Sequence, residues 1–116
     1  MTTRLLACLM LSGCATSAVV IDNVLDPGEV REACFTAATG DVITYRFEAT
    51  GMVQFNMHYH DGDQVYYPIP EQPARADKGR YLVAQNRGYC LMWTNAGADS
   101  VTLDFAIDGA GSIEYH

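Results

Sequence analysis

Val53 to His60 alternates apolar and polar side chains and carries His58 and His60, two of the three histidines in the chain. Residues two apart on a β-strand share a face and stand about 7 Å apart along it. His58 and His60 therefore lean toward one point in front of a sheet. Imidazoles at that spacing suit Zn or Cu, and Asp61 or Asp63 from the following Asp61-Gly62-Asp63 turn can complete a tetrahedral or tetragonal shell. The competing reading is a pair of polar residues hydrogen-bonded across strands, since no third ligand follows at a fixed spacing. Met52 lies on the histidine face and Met92 beside Trp93, so thioether help for copper can be drawn. Alternation assigns Met57, with Val53, Phe55 and Tyr59, to the core. Calcium suits the turn less well, because it takes about six to eight oxygens and the turn supplies only the carboxylates of Asp61 and Asp63. A polar hairpin turn with Gly62 at positive φ accounts for it more simply.

Covalent or acid–base catalysis finds less footing. Ser12, Ser17, Ser100 and Ser112 fall in the leader, the linker or turns, and none sits in a Gly-x-Ser-x-Gly elbow. No carboxylate pair has the placement a glycosidase needs, and no glycine loop could cradle a phosphate. The expectation is a protein that is not an enzyme. Aromatic side chains offer a different chemistry. Tyr66 and Tyr67 are adjacent, so one of them must turn away from the core. If Met52–His60 and Gln64–Ile69 form the hairpin their turn suggests, Tyr66 joins Gln54, Asn56, His58 and His60 in one surface patch. Exposed Tyr beside polar groups suits protein or glycan contacts.

The elements that must hold these residues begin after a leader. Met1 to Arg4 is short and basic, and Leu5 to Leu11 is an apolar run too short to span a bilayer. It ends in Leu11-Ser12-Gly13-Cys14, which resembles the lipobox of bacterial lipoproteins. The resemblance implies cleavage before Cys14, acylation of that cysteine and a lipid anchor in the cell envelope. Ala15, where that family's inner-membrane signal is Asp, implies sorting to the outer membrane. The chain then divides into a signal peptide (1–13), a lipidated linker (14–17) and one domain (18–116). Loss of the leader removes Arg4 and leaves 103 residues, with six basic against fourteen acidic side chains and a formal charge of −8. No run of Lys or Arg remains to bind nucleic acid or anionic headgroups. With Cys8 in the leader and Cys14 given to lipid, Cys34 and Cys90 remain and are expected to pair in an exported domain. Thiolate metal ligation is the alternative for them.

From Ala18 onward, short strands alternate with turns: Ala18–Leu25, Val30–Thr36, Val42–Thr50, Met52–His60, Gln64–Ile69, Arg80–Gln85, Tyr89–Thr94 and Val101–Ile107. A strand holding Pro68 should lie at an edge or end there, and Glu71–Gly79 reads as a polar loop. The glycine-rich residues 109–116 read as a loose tail. About eight short strands and no helical period predict an all-β antiparallel sandwich or jelly roll. The block Glu32-Ala33-Cys34-Phe35 with Gly40-Asp41-Val42 resembles the opening of the GOLD β-sandwich of the p24 cargo receptors. Gly88-Tyr89-Cys90-Leu91-Met92-Trp93-Thr94-Asn95 is similar to its closing strand, with Cys90 two residues earlier than that family's cysteine. The resemblance implies a β-sandwich and a binding role, without the trafficking function. The combined expectation is a non-catalytic, lipid-anchored envelope module for protein or glycan partners. The alternative is a periplasmic Cu or Zn module centred on His58 and His60.

Overall fold

The computed structural model describes residues 16–116, which form an all-β, antiparallel body. Its strands are β1 (Thr16–Leu25), β2 (Val30–Ala37), β3 (Val42–Asp61), β4 (Gln64–Leu82), β5 (Arg87–Thr94), β6 (Val101–Ala110) and β7 (Ile113–Tyr115). They run in the order β1-β6-β3-β5-β2-β7, with β4 hydrogen-bonded to β3. The proposed leader and Cys14 lie outside the described residues.

β3 organises this topology. Its first half, Thr44–Ala49, pairs with β6, whereas its second half, Gln54–His58, pairs with β5. β4 accompanies both halves. The β3–β4 register breaks between Glu48 and Val53, around Gly51. There the backbone passes so near Val101 that a β-carbon would stand 2.7 Å from its Cγ1, closer than a side chain tolerates. Glycine lets β3 turn this corner without displacing Val101. The two halves then face each other as two layers, with the Phe47 and Phe55 rings 4.6 Å apart. Trp93 stacks on Phe55 and Phe105, and all of these rings are buried. Each such side chain contributes about 1.5–3 kcal/mol through burial. The result is a β-sandwich.

The expected strands Val42–Thr50 and Met52–His60 are thus one bent strand, and the expected loop Glu71–Gly79 belongs to continuous β4. Pro68, Pro70 and Pro73 are tolerated because β4 pairs with β3 alone, so a missing N–H can face outward. The register also slips between Phe55 and Tyr59, opposite Pro68 and Pro70. The tail is ordered too. β7 pairs with Ala33–Phe35 of β2, and Glu32 and His116 exchange backbone hydrogen bonds of 2.9 Å. An open edge of β2 supplied the partner that the tail's own composition did not advertise. Cys34 and Cys90 stand directly opposite each other on β2 and β5 and form the expected disulfide. Buried Asn95 closes the β5–β6 connection: its Nδ2 donates to the Leu25 and Asp99 carbonyls and its Oδ1 accepts from Gly97 N–H.

Candidate functional site on the outer face of β2, β5 and β3

Alternation gives β2, β5 and the second half of β3 an inner face of large apolar groups and an outer face of polar ones. Ala33 and Phe35, Leu91 and Trp93, and Phe55 and Met57 point into the core. Glu32 and Cys34, Cys90 and Met92, and Asn56 and His58 occupy the other face. The registers line them up in two rows across three strands. Glu32 pairs with Met92 and Met92 with Asn56, while Cys34 pairs with Cys90 and Cys90 with His58. His58 therefore stands beside the disulfide, with Glu32 reaching it diagonally.

The face was expected, but its burial was not. His58 is only 5% exposed and Asn56 is fully buried, so Asn56 is not part of a surface patch. Long neighbours reach over both: the Glu71 carboxylate meets Asn56, Glu32 meets His58, and the Tyr67 ring packs 5.9 Å from the imidazole. Tyr67, rather than Tyr66, is the tyrosine beside His58. Tyr66 is partly exposed and stacks on Tyr59, with ring centroids 5.2 Å apart, because Tyr59 and Tyr66 are directly paired. Gln54 is half-buried.

A hydrogen-bonded chain orients His58 and places a proton on Nδ1. Asn56 Nδ2 donates to Glu71 Oε1 at 3.1 Å. A carboxylate accepts, so the amide oxygen is the atom that faces His58. His58 Nδ1 then donates to Asn56 Oδ1 at 2.8 Å, and this assignment rests on the network. In the neutral ring Nε2 is left as a lone pair, and it points at Glu32 Oε2 from 3.2 Å. Burial pushes the imidazole below its ordinary pKa. The Glu32 carboxylate pulls it up, and His60 adds to the lowering. Burial is the larger effect, so the neutral ring dominates near pH 7. His58 Nε2 and Glu32 Oε2 thus face each other across 3.2 Å.

The donor atoms of Glu32, His58 and Cys90 all lie within 4.8 Å of one another. His60 is exposed and stands edge-on to His58, with centroids 5.3 Å apart. Asp61 and Asp63 are exposed in the hairpin turn around Gly62, whose φ is 61°. Neither they nor His60 belongs to the converging group. Sequence reasoning missed Glu32 and Cys90 as neighbours of His58. The available signal was that Glu32 and Cys34 share a strand face, so the disulfide carries Glu32 along with it.

A second grouping was also hidden by sequence distance. Arg46 pairs with Lys78 across β3 and β4, and Arg80 pairs with Thr44. These cations border an open cleft of about 450 Å³ that Asp108 also lines. No known family's sequence profile matches this chain, and no curated protein matches it.

Proposed function

We propose that this protein is a non-catalytic lipoprotein of the bacterial cell envelope whose β-sandwich is a metal-binding module, taking Zn or Cu between His58 and Glu32. The observation that carries the metal reading is the convergence of His58 Nε2 and Glu32 Oε2 at 3.2 Å with the Nδ1 proton held by Asn56. Ligands about 2.0 Å from a tetrahedral zinc stand about 3.3 Å apart, so the pair is spaced as two adjacent ligands would be. Asn56 and Glu71 supply the outer support that metal-bound histidines use to hold their tautomer. His60, Asp61 and Asp63 remain candidates for a further ligand from the same hairpin. The anchor rests on the lipobox resemblance at Leu11–Cys14, and the Cys34–Cys90 disulfide fits an exported domain.

Calorimetric titration with Zn²⁺ and Cu²⁺ tests this function. Saturable binding that His58→Ala and Glu32→Gln each weaken at least tenfold supports it; binding unchanged in both variants contradicts it.

A second reading, docking of an envelope protein or a glycan, is favoured by Val65 and Tyr67, which are exposed on β4 beside the same site. Its sandwich and binding role also follow the GOLD resemblance. Capture of a specific envelope partner that Tyr67→Ala abolishes would support this reading over the first.

A further inference from the structure

We infer that the Cys34–Cys90 disulfide is a redox gate on this site: a dithiol reductant opens it and creates a zinc site of Glu32, His58 and Cys90. The inference rests on the metal reading above and adds a ligand and a control to it. In the oxidised chain the Cys90 sulfur is adjacent to His58 and Glu32 but is bonded to Cys34. A disulfide sulfur is a poor ligand, because metals take the thiolate. Position matters as well as charge. A thiolate about 2.3 Å from zinc stands about 3.6 Å from a nitrogen on the same metal. The Cys90 sulfur lies within 4.8 Å of the His58 donor atom, and its bond to Cys34 keeps it from adjusting to that spacing.

Both cysteines are half-buried, and each has a neighbour that bears on this reaction. Cys34 borders a shallow cleft of about 130 Å³, lined also by Thr36, Gly88, Ser112 and Glu114. Cys90 faces the buried imidazole. A thiolate of the dithiol entering by the cleft attacks Cys34 Sγ, the S–S bond breaks, and Cys90 leaves as a thiolate beside His58. The second thiol of the reductant then displaces Cys34 from the mixed disulfide. The reductant is oxidised to its own disulfide, and Cys34 and Cys90 each gain one electron. Zinc bound to Cys90, His58 and Glu32 holds the thiolate and blocks reoxidation. Reoxidation without metal restores the two-ligand site.

Zinc titration of the purified protein, air-oxidised and after treatment with a phosphine reductant, tests the gate. Reduction should tighten zinc binding by at least about 100-fold, as a thiolate joins the ligand set. Co²⁺ added to the reduced form should give a thiolate charge-transfer band that the oxidised form lacks. Cys34→Ser leaves the Cys90 thiol free without any reductant and should bind zinc as tightly as the reduced protein. Far-UV circular dichroism identifies any form that fails to fold, and reduced His58→Ala then provides a second variant, expected to lose the gain. Equal zinc affinity in the oxidised and reduced forms overturns the gate and leaves the two-ligand reading standing. Zinc binding by neither form overturns both.

Discussion

At the scale of single residues, the most informative contact is a pair of acceptors facing each other. His58 is buried, and burial holds its pKa below the ordinary value. The unfolded chain, with its imidazole near pKa 6.5, therefore binds more protons than the folded one as pH falls through that value. Stability contributed by the neutral ring is complete above about pH 6.5 and is lost on acidification toward the folded pKa. Urea unfolding at pH 7.5 and 5.5 should show lower stability at 5.5, and His58→Gln should shrink the difference. An equal difference in that variant would place the pH dependence elsewhere. Asn56→Ala removes the acceptor for Nδ1 and the donor to Glu71. Leaving a buried partner unsatisfied costs about 1–3 kcal/mol, which the same unfolding curves would report.

The faces of the residues in this site were legible in the sequence, and their burial was not. Alternation along Val53–His60 separated core from outer face correctly, because a strand's period is independent of its neighbours. Whether His58 is wet depends on Glu32, Glu71 and Tyr67, which arrive from β2 and β4. Strand order decides that, and nothing local in the sequence encodes it. Glu32 is two strands away from His58, across β5.

At the scale of elements, the bend in β3 and the staple between β2 and β5 set the geometry. Gly51→Ala would push a methyl into Val101. Overpacking of this kind costs about 1–3 kcal/mol and should lower the thermal midpoint without changing the β-sheet circular dichroism. Cys34 and Cys90 close a loop with a sequence separation of 56. Reduction should lower stability by about 4 kcal/mol in the chain-entropy picture, measured as a shift in the denaturation midpoint. Local patterns marked most of the strands and the disulfide. They divided β3 and β4 in two, because Gly51 and the prolines read as breaks when their tertiary partners are unseen. The tail was misjudged for a similar reason. Glycines at 109 and 111 suggest looseness, yet the free edge of β2 orders Ile113–Tyr115.

At the scale of the whole molecule, the chain combines an acidic body with a proposed lipid anchor. Of 116 residues, fourteen are acidic and seven basic, so the mean field of the protein favours cations, in keeping with the proposed metal site. The anchor predicts that the protein sediments with membranes and incorporates labelled fatty acid, and that Cys14→Ser abolishes both. Fatty-acid labelling that persists in Cys14→Ser would rule out Cys14 as the attachment point.

The central claim is that His58 Nε2 carries no proton at neutral pH and, with Glu32, offers its lone pair to a metal. Long-range ¹H–¹⁵N correlation spectra of the imidazole measure this directly. The account predicts a neutral, Nδ1-protonated ring for His58 at pH 7, with the Nε2 resonance moving on addition of Zn²⁺ and Nδ1 keeping its proton. An Nε2-protonated or doubly protonated ring at that pH, unmoved by Zn²⁺, would contradict it.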